Sequence, residues 1–457
     1  MQAIACSGNS NCTPQSSQQI AENMLLSMFS NFSQDQRVNN NSFPVYARPP
    51  IGQLNGSGLL GNWQVDGSAG NSCTFQGQSS PCPSLPSAPV RLDAIVNRID
   101  LEANGGLFAP GGELRFVFSV TASTAANGGA CSNSGQRADT FNIILEYKVP
   151  SDRFTTPLSW AQQWASLHDL NSNQSFTPAY LADLQSKITD FVVTKNACNS
   201  GTASCISQIR TNEILLKGSG GVNGPSWEQR EFHLGNNGNT PVLTEGMIAQ
   251  TPDPQFNTTG QPPCGNVNDP NGQGSGPCDP LGTLGQYINS VANNPIFQAT
   301  HGAAPAVPQT FDGSAFLGGS ALNPDGGVAP SFWNGSGISL ETARIDFSFN
   351  TCNGCHGRET ATGFVHVSNR LPAATSALSD FLLGHPQCPL QTENLGSTNG
   401  QCRESVSDPT NPAVSTLFGD IARRVLVLQT VCGNSPTCQR GAASDLLPFI
   451  SKPIGVH

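Results

Sequence analysis

Glu113-Leu114-Arg115-Phe116-Val117-Phe118-Ser119-Val120 puts Leu114, Phe116, Phe118 and Val120 on one side of an extended chain and Glu113, Arg115 and Ser119 on the other. A period of two is the pattern of a strand with one face in a core. The same period runs through residues 90–101, 141–149, 206–216 and 227–234. Together they predict a half-buried antiparallel or mixed sheet. Between the third and fourth strands lie two helical stretches. One carries Trp160 and Trp164, four apart on one face, and the other runs from Tyr180 to about Thr194. Helices inserted among hairpin strands give an α+β class.

Working outward, four regions follow from texture. Residues 1–88 read as an irregular N-terminal arm with one amphipathic helix near 14–33, where Ile20, Met24, Leu25, Met28 and Phe29 recur at helical spacing. Residues 89–250 are the sheet domain. Residues 251–331 form a Gly/Pro-rich connector with a short helix near 282–293. Residues 332–457 are expected to be mainly helical, with helices at 374–383, 414–431 and 442–450.

Charged residues make up only 11% of the 457 residues, against about 25% in ordinary soluble domains. Most of those in the first half sit on the strands: Arg98, Glu113, Arg115, Glu146, Arg210, Glu213, Glu228, Arg230 and Glu231. Two readings follow, a paired ionic network on one sheet face or a substrate cleft. The net charge of -10, without a Lys/Arg-rich run, excludes nucleic acid as a partner. No apolar run is long enough for a membrane span.

The most specific chemistry lies in Thr351-Cys352-Asn353-Gly354-Cys355-His356-Gly357. C-x-x-C-H is the attachment pattern for a c-type haem. Two thiols on one turn can each bond a haem vinyl group, and the next His lies under the iron as its axial ligand. The other uses of such a pair are half of a zinc site, with His366 and His385 as further ligands, or a redox dithiol. The motif resembles that of cytochromes c, which implies one covalent haem c held by Cys352, Cys355 and His356.

His366, ten residues on, is the first candidate for the sixth iron ligand, followed by His385 or an open position. No Met follows Met247. Arg358 and Arg370 flank the motif and suit the haem propionates, with Arg423 and Arg424 as alternatives.

Thirteen further cysteines remain. Six near-neighbour pairs are expected to be disulfides: Cys6–Cys12, Cys73–Cys82, Cys198–Cys205, Cys264–Cys278, Cys388–Cys402 and Cys432–Cys438, leaving Cys131 over. In another arrangement Cys131 pairs with Cys6 or Cys12. Either pattern predicts an oxidising compartment, periplasmic or at the cell surface. Met1-Gln2-Ala3-Ile4-Ala5-Cys6 reads as the start of a mature form.

Over its length the chain also resembles a group of uncharacterised exported bacterial single-haem proteins. The phrases shared are Asn97-Arg98-Ile99-Asp100-Leu101, Gly112-Glu113-Leu114-Arg115, Gln208-Ile209-Arg210-Thr211-Asn212, Trp227 to Phe232, and the C-x-x-C-H turn. That resemblance implies cofactor and compartment, and no reaction. The expected function is electron transfer with a redox partner protein or electron acceptor. The alternatives are a haem peroxidase or oxygenase with an open distal site, and a self-assembling cell-surface protein that carries haem.

Overall fold

The structure is a computed structural model. It describes residues 21–28, 72–75, 78–81, 90–99, 112–121, 138–149, 157–168, 177–193, 205–215, 226–237, 240–248, 251–253, 256–257, 282–292, 307–317, 321–323, 333–349, 351–356, 358–360, 365–368, 376–383, 404–407, 412–413, 415–418, 420–421 and 431–432.

All five expected strands form. After a hairpin of β1 (Ser72–Phe75) and β2 (Gln78–Pro81) come β3 (Val90–Arg98), β4 (Glu113–Thr121) and β5 (Ala138–Lys148). β6 (Ile206–Leu215), β7 (Ser226–Asn237) and β8 (Thr240–Glu245) follow. Each pairs antiparallel with the next from β3 to β8. A hairpin of β9 (Thr310–Phe311) and β10 (Ser314–Ala315) precedes β11 (Ala321–Asn323), which pairs with the other half of β7 and completes a seven-stranded sheet. The stretch between the sheet domain and the C-terminal region therefore supplies a sheet edge.

Register fixes what each face carries. Arg98 lies opposite Glu113, Arg115 opposite Glu146, and Arg210 opposite Glu231. Neighbours across a ladder share a face. One face thus bears Arg98, Glu113, Arg115, Ser119, Asn142, Glu146, Arg210, Asn212, Gln229 and Glu231, every one buried. The other bears Leu114, Phe116 and Tyr147, which pack with Trp160, Ala161 and Leu167 of the helix Pro157–His168 and with Ile188 and Val192 further on. Trp160 and Trp164 meet edge to face at 6.0 Å. The helix at 21–28 is pinned to β8, where Ser27 Oγ accepts from the Leu243 N–H at 2.8 Å.

A second core gathers around the helix Thr283–Ala292. Leu284, Tyr287, Ile288 and Val291 pack against Phe316, Trp333 and Phe347. Phe347 belongs to the helix Glu341–Phe349, which leads straight into the cysteine turn.

The C-terminal region departs from expectation. Ser415–Phe418, expected within a helix over 414–431, is strand β13, antiparallel to β12 (Glu404–Ser407), while the described residues 420–421 and 431 of that stretch are helical as expected. Four residues of Ser, Thr, Leu and Phe suit a pleated strand once a partner stands beside them, and pairing overrides the helical spacing. Of the described residues in the helix expected over 374–383, Asp380–Leu383 are helical and 376–379 are not, because Leu378 bridges to Val367 instead. Helix 442–450 lies outside the described residues. Among the described residues no helix is long and apolar enough to cross a membrane.

Candidate haem-attachment site

The turn Cys352–Cys355 is a four-residue helix whose start is capped from its own sequence. Thr351 Oγ1 accepts from the Gly354 N–H at 3.1 Å and donates to the Ser348 carbonyl at 2.7 Å. A Thr at this position satisfies a backbone donor that the helix start leaves over. Gly354 is required by space: a Cβ there would lie 2.1 Å from the Ser348 oxygen. Behind the turn, Arg344 reaches from the preceding helix to Glu359 at 2.5 Å and to the Trp333 carbonyl at 3.0 Å. Thr360 Oγ1 donates to the Cys355 carbonyl at 2.6 Å. The chain before and after the turn is thereby clamped together.

Both thiols are free of disulfide bonds and wholly buried, and His356 is 2% exposed. The Cys352 backbone N–H donates to Thr251 Oγ1 at 3.0 Å, and its sulfur lies 3.8 Å from Arg210 Nη1. The polar face of the sheet therefore meets the cysteine turn. Burial pushes the Cys352 thiol up to about 11, against the Arg210 charge, which pulls it down.

Cys355 Sγ lies 3.2 Å from His366 Nε2, and His366 Nδ1 lies 2.8 Å from Ser379 Oγ. The Ser379 N–H donates to the His366 carbonyl, so the same residue holds both backbone and ring. The His366 ring is 4.4 Å from that of His356 and 4.8 Å from that of Phe381. The sequence candidates Cys352, Cys355, His356 and His366 thus converge. Arg358 belongs to a 3-10 turn, Arg358–Thr360, but its side chain lies outside the description. Arg370, His385, Arg423 and Arg424 lie outside the described residues.

Glu113, Arg115, Glu146, Arg210 and Glu231 form one buried ion-pair network. Arg115 contacts both Glu113 and, at 3.3 Å, Glu146. Arg210 reaches Glu146 at 3.5 Å and Glu231 at 2.9 Å, and Glu231 meets His233 at 2.9 Å. Burial works against the Arg210 charge, and Glu146 and Glu231 outweigh it. Glu113 is pushed up to about 7, chiefly by burial and further by Glu146, with Arg115 opposing. Arg230 lies on the opposite face and pairs with Glu245 at 3.1 Å. The side chains of Glu213 and Glu228 lie outside the description.

Sequence reasoning missed Thr251, Ser379 and the Arg344–Glu359 clamp. The i,i+3 pair of Glu341 and Arg344, at 2.5 Å, was the part of this arrangement that local spacing could have shown. Cys205 and Cys432 are each half of a disulfide, while their expected partners Cys198 and Cys438 lie outside the described residues.

The donor set fits a covalent haem in its chemistry: two thiols on one turn, neither in a disulfide, an adjacent His, and a second imidazole beside it. As they stand, His356 and His366 are in ring contact and His366 Nε2 faces sulfur. His366 reaches a metal only by exchanging that contact. No family model, curated protein or solved structure matches the chain.

Proposed function

We propose that this chain is an exported c-type haem protein of electron transfer, with one haem bonded through Cys352 and Cys355 and ligated by His356. One observation carries the proposal. Neither cysteine of the C-x-x-C-H turn is in a disulfide, both are wholly buried, and the turn delivers a buried His356 against a second imidazole. When bound, the haem iron supplies a one-electron couple.

The residues of the chain have separable tasks. The Thr351 cap and the close approach at Gly354 hold the thiols on one turn. Thr251, six residues past β8, fixes the Cys352 backbone. Ser379 holds the His366 ring. With a haem bonded through Cys355, that sulfur would be a thioether, and His366, whose Nε2 now contacts it, would be the candidate to hold the iron together with His356. Arg358 and Arg370 are the candidates for the propionates. Cys205 and Cys432, both disulfide-bonded, support a periplasmic or cell-surface location. A redox partner protein or electron acceptor would exchange that electron.

The test is the absorption spectrum of matured protein, oxidised and reduced, with and without carbon monoxide. A six-coordinate low-spin haem indifferent to carbon monoxide is expected, and His366→Ala should convert it to one that binds the gas. Wild-type protein that binds carbon monoxide would instead favour a peroxidase or oxygenase.

A further inference from the structure

The charged face of the sheet does more than bury ion pairs, because its chain of contacts begins in solvent and ends on sulfur. His233 Nε2 meets Glu231 Oε1 at 2.9 Å, Glu231 Oε2 meets Arg210 Nη2 at 2.9 Å, and Arg210 Nη1 lies 3.8 Å from Cys352 Sγ. The side chain of Glu231 is 2% exposed and that of Arg210 4%, whereas that of His233 is 47% exposed. We propose, resting on the haem proposal above, that His233, Glu231 and Arg210 couple a proton at the surface to the electron held at the Cys352 site.

The placement of the imidazole is built. Gly246 lies against it, so closely that a Cβ on Gly246 would fall 2.7 Å from His233 Cδ2. The Gly246 N–H is meanwhile bonded to the Glu231 carbonyl at 2.9 Å. The charged groups that act on His233 are Glu231 on its own strand, Arg210 on β6 and Glu146 on β5. Opposite it on β8 stands Thr244, which does not titrate, and the next residue, Glu245, pairs with Arg230 on the other face. The hydrogen bond to Glu231 raises the His233 pKa above the usual imidazole range, with burial and Arg210 opposing and the Glu231 charge assisting.

The sign follows from charge. Neutral His233 donates Nε2–H to Glu231, and a proton taken from solvent arrives at Nδ1. Glu231 is then shared between two cations, so its hold on Arg210 weakens and the field at Cys352 becomes more positive. A positive field favours electron entry. One electron from a one-electron donor protein and one proton from water therefore arrive together, and by linkage the electron raises the affinity for the proton by the same factor. The midpoint potential falls as pH rises through the His233 range and is flat on either side.

The experiment is redox titration of the matured haem protein at a series of pH values, for wild type, His233→Gln and Gly246→Ala. Gln keeps a donor for Glu231 and does not titrate. The Ala methyl displaces the ring and leaves its chemistry unchanged. Wild type should show a slope in the His233 range that stays below the one-proton limit of a tenfold change in the oxidised-to-reduced ratio per pH unit, about 59 mV. His233→Gln should be flat and Gly246→Ala shallower. In wild type, the imidazole resonance of His233 should titrate at a higher pH in the reduced protein than in the oxidised. Coloured protein with a pH-independent potential, or a slope that persists in His233→Gln, overturns the coupling and leaves the haem proposal standing. Colourless protein overturns both.

Discussion

Replacing Arg344 by Met tests how the cysteine turn is held. Arg344 is wholly buried, and its Nη1 bridges Glu359 at 2.5 Å and the Trp333 carbonyl at 3.0 Å. Met preserves most of the aliphatic volume and removes the cation. Glu359, only 3% exposed, then keeps a carboxylate in a site that cannot hydrate it. Breaking one side of a buried pair costs about 3–5 kcal/mol, whereas replacing both sides by apolar groups of similar size is often neutral. The pair between Arg344 and Glu341 adds little, because the Glu341 side chain is 40% exposed and solvent screens it. Arg344→Met should therefore lose about 3–5 kcal/mol, and Arg344→Met/Glu359→Leu about 1 kcal/mol or less. Urea unfolding followed by tryptophan fluorescence is the assay, with Trp333 as the reporter beside the clamp. A single variant that loses under about 1 kcal/mol, or a double variant as unstable as the single, would refute the reasoning.

Three further outcomes are expected. Gly354→Ala sets a methyl 2.1 Å from the Ser348 oxygen, so haem attachment per folded molecule should fall sharply, read by haem stain against total protein; normal attachment contradicts the cap geometry. Glu113 is raised from 4.5 to about 7, so its contribution to stability is full below about pH 4.5 and is lost as pH rises through 7. Glu113→Gln should flatten that loss in melting curves across the window, and an unchanged pH profile contradicts it. Burial raises Cys352 to about 11, so iodoacetamide should label it in native apo-protein far more slowly than in urea at pH 8; equal rates contradict its burial.

The sheet was legible because its strands keep a strict period of two. Arg115 and Glu146, or Arg210 and Glu231, fall on one face as soon as neighbouring strands pair antiparallel. β8 was not legible, since Pro241 interrupts a short run, and β11 is three residues long and exists only through its pairing with β7. Val414, Leu417, Phe418, Ile421, Val425 and Leu428 keep a helical spacing, but at Ser415–Phe418 the partner Glu404–Ser407 decides for a strand. At the site, the C-x-x-C-H turn and His366 could be read from local spacing. Thr251 and Arg210 could not, because they stand 101 and 142 residues from Cys352 and meet it only through the tertiary fold. The clustering of charge on alternate strand positions showed that one face was polar. What that face touches came only with the structure.

The most direct measurement is the intact mass of the mature protein, purified under denaturing conditions from a bacterial host that attaches haem in its periplasm. The account predicts a gain of one haem over the mass of the amino acids, and its loss when Cys352 and Cys355 are both replaced by Ala. A wild-type mass equal to that of the polypeptide alone would contradict it.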